Sequence, residues 1–428
     1  MRRWILRLFA TLGIVLFIAV FVMWLTQIYP RRVAHPALQL ASGTLALQHA
    51  RVYTSPTEPA LDDATIVIRD GRIGQVGAGI PTPAGATILP CDHCVVLAGF
   101  WNAHIHFTQP KWNQSEWKSA ATLNAQLADF LTSRGFTTVV DVGSNLSETL
   151  PLRRRIESGE LQGPFIYTAG GALYPPHGIP FYLRETLPGW VIPLLAQPDS
   201  PAEAVKEVER NIDAGADLTK LFTGSYIARG TVLPMPLDIA TAAVQRTHRE
   251  GRLVFSHPSN FAGTKVAFDS GVDVLAHAPD TPDGIDAAFL QNMVQHHMAM
   301  VPTLKMFATT VTKNPHYLNP IYEEVRQFHQ AGGQLIFGTD VGYMTDYTTD
   351  DEFAALAQCG LTASDVLAML TTNPAARFGV LGEKGTITPG KLADLTVLDL
   401  DPATTPNNLS AFARVRMTIR SGRVVYQR

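Results

Sequence analysis

Charge is scarce in this chain and cysteine scarcer. Asp, Glu, Lys and Arg make up 17% of the 428 residues, and the net charge is −3. No basic stripe runs along the sequence, which argues against nucleic-acid binding. The three cysteines, Cys91, Cys94 and Cys359, are too few for a disulfide framework. Cys91 and Cys94 have CxxC spacing, but no second CxxC and no HxxxH supplies the other half of a zinc site. They read as loop residues, or as a local disulfide in an oxidising compartment. No glycine-rich phosphate loop follows the first strand of the central region, which weighs against a doubly wound dinucleotide fold.

Hydrophobic residues, by contrast, make up 46% of the chain, enough for a packed globular protein. The first concentration of them is Leu8 to Thr26, a run of 19 residues without a charge. About 20 apolar residues span a bilayer as a helix. Bulky residues, Met23, Trp24 and Leu25, stand where a signal peptide needs small ones. We therefore expect a single-pass anchor over residues 1–29, in contact with membrane lipid, and a linker over 30–43. Arg2, Arg3 and Arg7 precede the run and Arg31 and Arg32 follow it. That excess places the amino terminus inside and the catalytic part outside, periplasmic or extracellular.

Both chain ends then read as β structure. Ala64 to Arg69, Asp70-Gly71 and Arg72 to Val76 form a hairpin pattern, as do Arg416 to Arg420, Ser421-Gly422 and Arg423 to Tyr426. Hairpins are marginal alone, so residues 44–97 and 381–428 are expected to combine into one small β-sandwich domain. Residues 98–380 alternate short apolar runs with helical patterns such as Pro201 to Ala214, which follows Ser200 as an N-cap. Eight such repeats predict a (β/α)8 TIM barrel. The stretch from Gly170 to Ser200, rich in Pro, Gly and Tyr, is too long for a plain connection and reads as a lid or binding loop.

Chemistry gathers at the strand ends. His104 and His106 follow the first strand, and alternate positions on a strand project to one side. Lys220 lies on the fourth, and His257, His277 and Asp340 close the fifth, sixth and eighth. Barrel enzymes keep their sites on that face. Each residue has an ordinary structural reading alone; together they suit a divalent metal, zinc first, with manganese or iron as alternatives.

The segments Gly99 to His106, Thr219 to Phe222, Phe255 to His257, Leu275 to His277, Phe337 to Asp340 and Thr386 to Leu395 resemble the amidohydrolase superfamily. The similarity is to its imidazolonepropionase-like and Xaa-Pro dipeptidase (prolidase-like) branch. It implies two metals, one on His104 and His106, the other on His257 and His277, bridged by a carboxylated Lys220. Asp340 would bind the first metal and act as general base. A metal-bridging hydroxide would then cleave an amide-like C–N bond in a small-molecule substrate such as an Xaa-Pro dipeptide or an acyl amino acid. A mononuclear deaminase, an ester or phosphotriester hydrolase, and an inactive tethered binding protein are the alternatives. Lys220 weighs against the deaminase. Two features depart from the branch: Asn102 stands where many relatives have Asp, and five residues separate Gly170-Gly171 from His177. His177 is the candidate for contacting the substrate carbonyl, with Tyr226 and Arg229 as candidates for binding a substrate carboxylate. Homo-oligomer formation is left open.

Overall fold

Strands β1 (Thr44–Val52), β2 (Leu61–Arg69) and β3 (Arg72–Ala78) pair antiparallel in sequence order. Asp70 and Gly71 join β2 to β3 with φ of 47° and 77°, the left-handed pair that a tight hairpin turn needs. A Cβ on Gly71 would also lie 2.7 Å from the Ser421 carbonyl oxygen, so only glycine fits. Strands β4 (Thr87–Leu89) and β5 (Val95–Ala98) run parallel to β1. The structure is a computed structural model that describes residues 38–311, 314–404 and 409–428, together with Ile14 and Ile18.

Next come β6 (Phe100–Ile105), β7 (Phe136–Asp141) and β8 (Phe165–Thr168), a parallel three-stranded arc. After β9 (Thr219–Phe222) a hairpin, β10 (Gly224–Ala228) and β11 (Thr231–Pro234), projects from the end of the strand. β9 then joins β12 (Val254–His257), β13 (Val274–Leu275), β14 (Ala299–Met300) and β15 (Gln334–Leu335) in a parallel five-stranded arc. Backbone hydrogen bonds close both seams. Asp217 N donates to Thr168 O at 2.7 Å on one side, and Ala103 N to Phe337 O at 2.8 Å on the other. The result is the expected TIM-barrel-like α/β fold. Its interior is filled by small and branched side chains, including Ala103, Val140, Leu218, Val274 and Ile336. The helix Pro201–Ala214 starts as expected, with Ser200 capping the Glu203 amide, and ends at Gly215 in a left-handed conformation.

The chain finally returns to its starting sheet. β16 (Leu395–Leu398) pairs with β5, and β17 (Val415–Arg420) and β18 (Arg423–Gln427) extend it, giving the order β18-β17-β16-β5-β1-β2-β3 with β4 beside β1. Cys91 and Cys94 form a disulfide in the loop between β4 and β5, so the CxxC is the local disulfide considered above rather than half a zinc site. Among the described residues no helix is long and apolar enough to cross a membrane. The expected anchor over 1–29, and with it the lipid contact, lies outside the described residues, apart from Ile14 and Ile18.

Candidate active site

Two strand ends bring the first group together. β6 carries His104 at its penultimate position, with His106 just beyond, and the segment following β15 brings up Asp340. Gly338 lets them meet: a Cβ there would lie 2.9 Å from the His104 Cβ and 2.3 Å from Val301. Asn102 ties the two strands. Its Nδ2 donates to Thr339 Oγ1 at 2.7 Å, and its Oδ1 accepts from the amides of His104 and Thr339, each at 3.2 Å. The departure at position 102 therefore costs no hydrogen bond.

The imidazoles form a file. His104 and His106 have Nε2 atoms 3.3 Å apart. The His104 ring centroid is 4.4 Å from that of His277, which is 4.5 Å from that of His257. His257 in turn stacks on Phe222 at 4.7 Å. Lys220, on β9, is 2% exposed, and its charge acts on His257, His104 and His277. Single ligand atoms of His104, His277 and Asp340 all lie within 4.8 Å of one another.

Hydrogen bonds fix which nitrogens face the centre. His104 Nδ1 is 2.7 Å from Ala276 O, which can only accept, so Nδ1 carries the proton and Nε2 a lone pair. The Thr303 hydroxyl donates to Pro302 O at 2.8 Å, so it accepts from His277 Nδ1 at 2.7 Å. His277 therefore also turns a bare Nε2 inward. Asp340 Oδ1 lies 3.2 Å from His104 Nε2 and 3.0 Å from His106 Nε2, buried and without a hydrogen-bond partner. The two inward-facing lone pairs, on His104 and His277, together with the Asp340 carboxylate oxygen form a set that a cation would bind. The donor set, imidazole nitrogens and a carboxylate oxygen, suits a divalent transition metal.

Burial sets the protonation states. It pushes His104 down to about 4 against the pull of Asp340, and His257 and His277 well below the ordinary histidine value. It pushes Lys220 down to about 7, again against Asp340. For Asp340 burial acts upward, but the facing imidazoles of His104 and His106 prevail and hold the carboxyl well down. These shifts share one sign in acid. Each histidine binds its proton more readily unfolded than folded, and so does Asp340. The metal-free protein is therefore expected to lose stability as pH falls from about 6.5 towards 4, and further below. Thermal unfolding monitored across that range checks this; a flat melting temperature would contradict the burial argument.

The sequence did not point to Thr303, a residue with φ of 51° just past β14. Removing its hydroxyl in Thr303→Val is expected to weaken metal retention about 10- to 100-fold, as loss of a ligand-orienting partner typically does. Competition against a chelator measures this, and unchanged retention would show that Thr303 is not needed to orient His277.

Among the described residues no hydrogen bond joins the expected substrate contacts His177, Tyr226 and Arg229 to the imidazole file. His177 is exposed with φ of 55°, and no hydrogen bond or ion pair joins it to the cluster among the described residues. The Tyr226 hydroxyl donates to Asp280 Oδ1 at 2.7 Å. Arg229 is exposed, its guanidinium 5.3 Å from the Phe181 ring centroid.

Comparison with known proteins agrees with this geometry. The model of the amidohydrolase family matches residues 95–425. Imidazolonepropionase of Thermoplasma acidophilum is 30% identical over 151 residues, 34% of this chain and 37% of that protein; the enzyme of Thermoplasma volcanium is 23% identical over 188 residues, 41% and 46% of the two. The chain thus spans less than half the length of the curated relatives it matches. A crystal structure of a Xaa-Pro dipeptidase with bound methionine superposes with a TM-score of 0.75 at 22% identity, covering 90% of this chain and all of that one. The structure of a prolidase from Bifidobacterium longum gives 0.74 at 26% identity, covering 91% and 95%.

Proposed function

From the premise that this chain belongs to the amidohydrolase family, as a hydrolase acting on carbon–nitrogen bonds, we propose that it is a binuclear metal-dependent amidase of small acyl-amino-acid or Xaa-Pro dipeptide substrates. The observation that carries this reading is the convergence of ligand atoms from His104, His277 and Asp340 within 4.8 Å of one another, with His106 Nε2 3.0 Å from Asp340 Oδ1. In this reading His104, His106 and Asp340 hold one divalent ion, zinc by preference, and His257 and His277 hold the other.

Such a pair, when bound, supplies Lewis-acid polarisation of the amide carbonyl and acidifies water. The remaining work falls to the protein. Lys220, brought down to about 7, is partly unprotonated at neutral pH, and the free amine is the form that adds CO2. The resulting carbamate would offer a divalent ion an anionic oxygen donor, where an ammonium could not ligate. Asp340 is held ionised, takes the proton of the attacking water and passes it to the departing nitrogen. Asn102 keeps the strands of His104 and Asp340 in register during that transfer.

Compartment is part of the same reading. A Cys91–Cys94 disulfide persists in an oxidising environment, which agrees with a catalytic part outside the cytoplasm and an anchor at residues 1–29. Resistance of both thiols to alkylation in intact cells until a reductant is added tests it.

For the activity, metal analysis of the purified protein is paired with a panel of acyl-prolines, Xaa-Pro dipeptides and nucleobases. Transition metal near two equivalents with cleavage of amides supports the amidase. A folded protein that holds no transition metal, or one that deaminates nucleobases and leaves amides intact, sinks it.

A further inference from the structure

Asp280 lies three residues past His277 and is 9% exposed. Among the described residues no lysine, arginine or histidine pairs with it. Its Oδ1 accepts from the Tyr226 hydroxyl at 2.7 Å and the Thr281 hydroxyl at 3.5 Å, and its Oδ2 from the Tyr317 hydroxyl at 3.1 Å. Tyr226 comes from the β10–β11 hairpin and Tyr317 from the helix Pro315–Gln330. The carboxylate thus sits where the segments following β9, β13 and β14 meet. Two turns along that helix, Glu324 is 4% exposed, and among the described residues neither of its carboxyl oxygens has a hydrogen-bond partner. Burial, with the added charge of Asp280, pushes Glu324 well up.

Tyr182, in the short helix Phe181–Thr186 of the long loop after β8, has its ring 5.8 Å from Tyr343, itself three residues past Asp340. Burial raises its phenol, and the neighbouring Tyr174, Tyr343, Asp340 and Asp280 add to the effect. The arginines of this rim are engaged elsewhere: Arg229 lies over the Phe181 ring and Arg184 donates to the Ile227 carbonyl.

A sheltered carboxylate without a counter-charge is matched by a cation, and a charge-assisted hydrogen bond to the carboxylate fixes the direction of an ammonium. An anion would instead meet like charge, and the Tyr226 proton that could bind it is already donated to Asp280. We propose that Asp280, with Tyr226 and Tyr317, is the subsite for a protonated amine of the substrate, a proposal that rests on the amidase reading above. The amine is either the free α-amino group of a peptide or a side-chain ammonium. The role suggested by the sequence for Tyr226, contact with a substrate carboxylate, is thereby reversed in sign.

The test uses the zinc-loaded full-length protein and kcat/KM for leucyl-proline, N-acetyl-leucyl-proline and N-acetyl-lysyl-proline. The first pair isolates the α-amine and the second the side-chain ammonium. One cationic substrate is expected to exceed the neutral one by about tenfold or more, and Asp280→Asn is expected to bring that ratio towards unity. Tyr317→Phe keeps the carboxylate and should reduce the ratio by less, which guards against a poorly folded Asp280 variant. Equal rates on all three substrates, or a preference that survives Asp280→Asn, overturn the proposal. If none of the three is cleaved, the amidase reading fails instead, and the subsite is judged by binding of butylammonium measured by NMR. Binding that disappears in Asp280→Asn then supports it, and no binding overturns it.

Discussion

Asp340→Asn is expected to lower kcat/KM by about 10³- to 10⁴-fold while the protein stays folded, the upper range for losing a positioned proton acceptor. Asn has nearly the same shape, so the packing of the strand ends around Gly338 and Val301 is kept. What changes is chemistry at one atom. The aspartate oxygen faces His104 Nε2 at 3.2 Å and His106 Nε2 at 3.0 Å as an anion. An amide oxygen carries no charge to neutralise a cation and cannot take up a proton near neutral pH. The loss should fall mainly on kcat, because a proton is transferred only as the bond breaks. Metal content should fall less than activity, since His104 and His106 remain. Steady-state kinetics on an amide substrate, with metal analysis of the same preparation, decides it. Activity within tenfold of the wild type would remove Asp340 from the mechanism.

Lys220→Ala should act through the metals rather than through a proton. Loss of the central donor is expected to reduce metal content from about two equivalents to one or fewer, with activity falling in parallel. The proposed carbamate would also make loading dependent on CO2 and pH. Lys220 loses its proton near pH 7, and each unit below that leaves about tenfold less free amine to react. Reconstitution of metal-stripped protein with zinc and bicarbonate should therefore be faster at pH 8 than at pH 6, and slow in CO2-free buffer. Loading that ignores bicarbonate at every pH would leave Lys220 as a buried lysine without a carbamate.

The barrel, and the polar residues gathered at its strand ends, were legible in the sequence because both obey a period. Apolar runs recur with helices between them, and His104, Lys220, His257, His277 and Asp340 each lie on or just after such a run, where a parallel barrel directs side chains to one face. The hairpins were legible from Asp70-Gly71 and Ser421-Gly422, whose positive φ angles few other residue pairs accept. Thr303 and Asp280 carried no such signal. Each is a single polar residue in a loop, and its importance comes from a partner far away in sequence: the His277 imidazole for one, the Tyr226 and Tyr317 hydroxyls for the other. His177, picked out by resemblance across an altered spacing, sits exposed on its loop, as an insertion of five residues before it allows.

The pairing of β5 with β16 has a consequence for biosynthesis. It joins residues such as Leu97 and Thr396, about 300 positions apart, so one sheet cannot be finished until nearly the whole polypeptide has been translated. Until then β5 has an open, apolar edge beside a barrel that is already emerging. Such an edge invites association between nascent chains. Maturation should accordingly be slow and sensitive to chaperone supply, and shortening the carboxyl end by β17 and β18 should cost yield in the cell before it costs anything at the catalytic centre.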